Sequence, residues 1–349
     1  MFAFHTKGLK SPVGAWHELE TEKTLREVSM QEVINGLKSI FIACDVVHPK
    51  DKVLVIADDD GKSMWLGYLC LGTSKAMGAE ANLIVMDPPE QRAAEPPVTV
   101  SAAMKTVNVC IRVSDKAPLV HTTARKEASA LGVRYCPLEV PVDEIRMGAS
   151  AKKVKLIKER TERLAAILGQ SRTARITTPE GTDLTVSIAG RPPIPIHPLS
   201  PLVAGIPSYA EAAVAPVEGT AEGKIVVDIA FIDWCCLLRE PMHLTVKKGK
   251  VVDIKGYRPE VEKLSKVLDA YKNADNIGEL GIGTSHTIPM PVYGIRRDAA
   301  RIGTAHFALG RNNDIGGKTL SDIHWDVLMS RATVELDSKV VLKAGKLLI

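Results

Sequence analysis

Aromatic side chains are scarce in this chain, at 4% of 349 residues. A nucleic-acid surface normally interleaves a basic stripe with stacking aromatics. Here Lys+Arg 45 against Asp+Glu 41 leaves a formal net charge of only +4. The excess is spread out, and acids interrupt its densest cluster, Lys152 to Arg163. Nucleic acid is therefore not expected as a partner. No run approaches the ~18 apolar residues that a membrane-spanning helix needs, so no membrane partner is expected either. The opening stretch, MFAFHTKGLKSPVGAWHELE, lacks an apolar segment followed by a small-residue cleavage site. The cysteines at 44, 70, 110, 136, 235 and 236 form no C-x-x-C pair, and the adjacent Cys235 and Cys236 make a poor chelate or disulfide. Buried, reduced thiols in a cytoplasmic protein are expected.

Also missing is a dinucleotide fingerprint. Lys52 to Ala57 reads as a buried strand, Ser63 to Ala76 as a helix and Ala81 to Met86 as a second strand, which together predict a right-handed βαβ unit on a parallel sheet. The turn between them is Ala-Asp-Asp-Asp-Gly rather than G-x-G-x-x-G, and three acids at a helix start repel a pyrophosphate. Val107 to Val113, a helix at Thr122 to Ala130 and Gly132 to Leu138 continue the pattern. An amphipathic helix from Ala151 to Leu168 follows, with Val154, Ile157, Leu164 and Leu168 on one face.

Beyond it the character changes. Asp183 to Ile188 alternates like a half-buried strand, Arg191 to Pro207 is proline-rich, and Lys224 to Ile232 reads as one strand. Leu244–Val246 with Val251–Ile254, and Thr333–Leu336 with Lys339–Leu342, read as hairpins. Pro259 to Tyr271 reads as a helix. The expected class is α/β, with an N-terminal βαβ parallel-sheet domain over 1–165 and a C-terminal mixed α/β metal-binding domain over 166–349.

What is present in quantity is chemistry near the C-terminus. Gly278-Glu279-Leu280-Gly281-Ile282-Gly283 sets a carboxylate in a glycine-rich segment, which reads as a rim shaping a pocket. Gly303-Thr304-Ala305-His306 places an imidazole among apolar neighbours, and His324-Trp325-Asp326 forms an H-x-D pair whose members share one strand face. Singly, each has a structural reading: a hydrogen-bonded core histidine, a solvated loop acid, a chance pair. Together, a metal ion is the simplest common partner, because a carboxylate on an apolar strand must be paired or neutralised.

The ordered series Ile206-Pro207-Ser208 with Glu211, Glu218 to Gly223, Gly278 to Gly283, Gly303 to His306 and Ile323 to Asp326 resembles the M29 metallopeptidases of the aminopeptidase T type over roughly 200–330. The resemblance implies a dinuclear centre on Glu211, Glu279, His306, His324 and Asp326. Glu211 is displaced by one residue from the family pattern, with Glu218 and Glu222 as fallbacks. The peptidases carry a catalytic tyrosine seven residues after the G-T-x-H histidine, where this chain has Asn313. An amide hydrogen-bonds but does not titrate. The stretch Asn312 to Lys318 and the C-terminal hairpin also resemble a related iron-dependent branch, the 2,5-dihydroxypyridine 5,6-dioxygenases. That family's mononuclear site uses two histidines and an aspartate. His324 and Asp326 match it, Glu279 stands where its first histidine would be, and His306 lies outside that iron set.

Weighed by ligand type, the sequence favours a metal-dependent hydrolase cleaving an amide or peptide bond in a small molecule or short peptide. Glu211 or Glu279 would be the general base. Asn313, with Arg311 and Lys318, would orient substrate. Two divalent ions, Zn, Co or Mn, would activate the water. The alternative is a ring-cleaving dioxygenase using Fe(II), for which His306, His324 and Asp326 would form a facial set. Family resemblance implies a homodimer or larger homo-oligomer.

Overall fold

The computed structural model describes residues 29–349 except 92, 115–116, 139–140, 201–205, 207–208, 235, 289–293 and 295. The opening stretch, Pro207, Ser208 and Cys235 of the motifs above lie outside the described residues, as does the side chain of Cys236.

The continuous apolar run at Val53 to Ala57 suits a strand covered on both faces, and every residue from Val53 to Asp58 is buried. Strands β1 (Lys52–Asp58), β2 (Glu80–Met86), β3 (Val109–Val113) and β4 (Arg134–Leu138) form a parallel sheet in the order β2-β1-β3-β4. The acidic turn is resolved by division of labour. Asp60 caps the helix Gly61–Ala76 by accepting from the Ser63 N–H at 2.8 Å, while Asp58 turns into the sheet and pairs with Arg112.

The rest of the chain builds two antiparallel layers. In chain order the strands are β5 (Thr173–Thr177), β6 (Asp183–Ser187), β7 (Pro193–Ile196), β8 (Glu211–Val214), β9 (Glu222–Val227), β10 (Ala230–Phe231), β11 (Cys236–Leu237), β12 (Met242–Lys247) and β13 (Lys250–Lys255). They continue with β14 (Ile277–Gly283), β15 (Ala305–Gly310), β16 (His324–Met329), β17 (Thr333–Leu336), β18 (Lys339–Lys343) and β19 (Lys346–Leu347). One sheet runs β11-β10-β16-β15-β14-β8-β7 and the other β13-β12-β9-β6-β5-β17-β18-β19. Side chains of both share one core, in which Phe307, Trp325 and Val327 of the first lie with Ile176, Leu184 and Ile225 of the second. The helix Ala151–Gln170 joins the two cores: Val154 belongs to that of the parallel sheet, and Leu164 and Leu168 to that of the sandwich.

Three sequence expectations change. Lys224 to Ile232 is two strands, because the chain passes from one sheet to the other after Val227. The proline-rich stretch contains β7, at the sheet edge where proline's missing N–H is tolerated. The Gly278–Gly283 segment is no rim: it is β14, wholly buried and paired on both sides, by β15 and β8. Among the described residues no helix is long and apolar enough to cross a membrane.

Candidate metal centre and its cleft

In the seven-stranded sheet, β8, β14, β15 and β16 alternate between two faces, apart from a bulge at the start of β14. Ala212, Val214, Leu280, Ile282, Phe307, Leu309, Trp325 and Val327 face the sandwich core. Glu211, Glu279, His306, His324 and Asp326 therefore project together from the opposite face. Cross-strand register finishes the placement. Ala308 lies opposite both Glu279 and Asp326, and Gly281 opposite His306, so small residues separate the polar ones. A bulge between Ile277 and Glu279 sets the register that aims Glu279 inward. Gly281 has to be glycine: a Cβ there would stand 2.2 Å from His306 Cε1.

All five side chains are buried. His324 Nε2 lies 3.0 Å from Glu279 and 3.5 Å from Asp326, and His306 Nε2 lies 3.6 Å from Glu211 and 3.9 Å from Glu279. Donor atoms of Glu211, Glu279 and His306 fall within 4.8 Å of one another. Glu211 Oε2 and His306 Nδ1 are buried with no hydrogen-bond partner among the described residues. Burial pushes the Glu211 carboxyl up to about 7; His306 opposes this, while Glu279 and Asp326 reinforce it. Burial alone would lower His324, yet the hydrogen bond and charge of Glu279, with Asp326 and Asp314, bring it up to about 9. The Glu211 shift comes first from burial and the His324 shift from its carboxylate neighbours, and in both Glu279 and Asp326 favour the protonated form. His324 Nδ1 lies 3.0 Å from the carbonyl oxygen of Arg311 and donates to it, which leaves Nε2 as the ring's donor atom to a cation. Oxygen and imidazole donors of this kind, unsaturated and anionic in sum, fit a divalent metal ion.

Residues far upstream complete the site. The cleft is a small cavity of about 30 Å³, lined by the apolar Val120, Ile194, Ile196 and Ile315 together with Tyr209, Arg125, Arg296, Asp314, His121 and the acids. The His121 ring stacks on His324 with centroids 3.5 Å apart and planes 16° apart. Its Nδ1 lies 2.9 Å from Asp314 Oδ2. Burial, with His324 nearby, lowers His121 to about 4, so the ring is neutral at pH 7 and donates from Nδ1. The Tyr209 hydroxyl donates to Glu211 at 3.0 Å. Sequence reasoning missed His121, Arg125, Asp314, Arg296 and Tyr209. One signal for His121 was available: it follows β3, next to the point where the strand order reverses, and parallel sheets bind ligands beyond the carboxyl ends of such strands.

Other expected residues lie elsewhere. Asn313 does not line the cleft; its carbonyl accepts from Lys126 at 3.1 Å. Glu218 ties a loop together through Arg191, Asn312 and the Lys318 N–H, and Glu222 accepts from the Lys248 N–H in a turn. Arg311 is buried against Thr123, at 3.1 Å.

A mixed α/β chain with a cation-fitting donor set at the mouth of a cleft narrows the class. The chain belongs to the 2,5-dihydroxypyridine 5,6-dioxygenase (NicX) family, whose model matches residues 32–349. A 2,5-dihydroxypyridine 5,6-dioxygenase of Pseudomonas putida KT2440 is 28% identical over 145 residues, which is 37% of this chain and 40% of that protein. The matched segment thus spans well under half of that relative. The structure of 2,5-dihydroxypyridine dioxygenase from Pseudomonas putida KT2440 superposes with a TM-score of 0.77 at 18% identity, covering 92% of this chain and 98% of that one. Wild-type AmpT from Thermus thermophilus superposes at 0.59 and 13% identity, covering 92% and 100%. At these identities the structural likenesses establish the fold alone.

These findings overturn the expectation of a hydrolase of the aminopeptidase or amidase type, because the family match runs through nearly the whole chain and names the oxygenase branch. Three of the motifs that suggested a peptidase fall at β14, β15 and β16, and Glu211 begins β8, strands of a fold that resembles both solved structures. They mark the fold and its polar face rather than the reaction.

Proposed function

We propose that the protein is a metal-dependent dioxygenase that opens the ring of a small hydroxylated pyridine, with Fe(II) as its metal. Membership of the dioxygenase family over residues 32–349 carries the reading. His324, Asp326 and Glu279 would hold the ion, with His306 and Glu211 adjoining it, so that Glu279 replaces an imidazole with a carboxylate. When bound, ferrous iron with open positions supplies the activation of O₂ that no side chain provides.

The chain's own residues account for binding. Val120, Ile315 and the stacked His121–His324 pair all line the cleft and would offer a planar heteroaromatic ring apolar and stacking contacts. His121 donates from Nδ1 to Asp314, so its Nε2 is free to accept a hydrogen bond from a ring hydroxyl. Arg125 and Arg296 place positive charge on the cleft wall, which suits the oxygen of a hydroxypyridine or its pyridone tautomer.

The test is spectrophotometric. Protein loaded anaerobically with Fe(II), then given air and 2,5-dihydroxypyridine, should bleach the ring absorbance and consume one O₂ per ring. Unchanged absorbance across a panel of hydroxypyridines would overturn the reading.

A further inference from the structure

We propose that Asp314 is a positioning residue that fixes His121 as its Nδ1-protonated tautomer and so presents a bare Nε2 to the substrate ring. The proposal rests on the reading that His121 faces the substrate; the tautomer itself is independent of that reading.

An ionised carboxylate only accepts hydrogen bonds. With Asp314 Oδ2 at 2.9 Å from His121 Nδ1, the proton must sit on Nδ1. Burial of the Asp314 side chain opposes ionisation, but the hydrogen bond with His121 and the cations around it, with Arg125 Nη2 at 3.5 Å and Arg311 Nε at 3.9 Å, keep the carboxyl ionised. The same arginines fasten the two chain segments that meet here. Arg125 Nε donates to the carbonyl of Val120, next to His121, at 2.6 Å. Arg311 reaches Thr123, and Lys126 reaches the carbonyl of Asn313. Three residues before Asp314, the Arg311 carbonyl accepts from His324 Nδ1. One short stretch, Arg311 to Asp314, therefore sets the tautomers of both stacked histidines, one from each half of the chain.

A merely structural Asp314 would serve its arginines and leave the ring free to choose. Asp314→Asn separates the two roles, because an amide can either accept from Nδ1–H or donate to a bare Nδ1. The full chain, labelled with ¹⁵N-histidine and free of metal, would be examined by two-bond ¹⁵N–¹H correlation, with His121→Gln assigning the signal. The expected wild-type pattern is a single Nδ1–H tautomer for His121, and Asp314→Asn should convert it to Nε2–H or to a mixture. Iron-loaded Asp314→Asn should retain its iron and lose on the order of 10–100-fold in kcat for 2,5-dihydroxypyridine. An Nε2–H tautomer in the wild type overturns the proposal, even if the variant fails to fold. An unchanged tautomer in a folded variant overturns it too. A wild type that turns over no hydroxypyridine would sink the functional reading, and the spectrum would still decide the role of Asp314.

Discussion

Of the clusters of buried charge among the described residues, one on the parallel sheet and one on the sandwich are built on opposite plans. In the parallel sheet, Arg112 is fully buried and every arm is used: Nε to the Ala117 carbonyl at 3.1 Å, Nη1 to Ile56 and Val113, Nη2 to Asp58, whose other oxygen accepts from Ser114. One cation meets one anion and the account closes. On the sandwich, Glu211, Glu279 and Asp326 crowd two imidazoles, and Glu211 Oε2 and His306 Nδ1 have no hydrogen-bond partner among the described residues. Folding alone gives no reason to gather three carboxylates at one buried point. A saturated, neutral cluster is architecture, and an unsaturated, anionic one is a place made for something else.

The comparison can be broken in four ways. The largest effect should come from His324→Ala or Asp326→Ala. Either should abolish iron retention and cut ring cleavage by on the order of 10³-fold, while thermal unfolding of the metal-free protein stays where it was. Removing an acid from the other cluster should do the reverse. Asp58→Ala strands Arg112 and should cost about 3–5 kcal/mol in urea unfolding without altering iron content, whereas Asp58→Leu with Arg112→Met should recover most of that loss. Gly281→Ala comes next. Its methyl would collide with the His306 ring, so we expect a loss of about 1–3 kcal/mol together with weaker iron binding. If Gly281→Ala were silent, His306 would not be packed as described.

The smallest effect concerns the parallel-sheet half and alkaline pH. Burial pushes the Cys44 and Cys110 thiols from 9 up to about 12, Arg112 partly opposing this at Cys110. The unfolded chain gives up those protons first. Stability should thus be intact below pH 9 and fall as the pH rises from 9 towards 12, as urea midpoints would show. At pH 8 the buried Cys44, Cys70, Cys110 and Cys136 should resist iodoacetamide, followed by peptide mass spectrometry, until the fold opens.

Much of this was legible in the residues themselves. The apolar run of β1, the alternation that puts His324 and Asp326 on one face, and the hairpin around Lys247 to Lys250 follow from local periodicity. What escaped was non-local. β14 hides as a strand because its glycines answer to neighbours: Gly281 to the His306 ring, Gly278 to the carbonyls of Gly310 and Arg311. His121 and Asp314 are unremarkable in sequence, and their meaning arises only where the loop after β3 meets the loop after β15. Motifs on the central strands conveyed which face is polar. They could not convey the reaction, which depends on what the cleft admits.

The central claim, that the unsaturated cluster is the metal site of an oxygenase, is met most directly by elemental analysis. Wild type and His324→Ala would be equilibrated anaerobically with equal Fe²⁺, Mn²⁺, Co²⁺ and Zn²⁺, then desalted. One iron per chain in the wild type and none in the variant is the expected result. Equal metal content in the two proteins, or no metal in either, would contradict it.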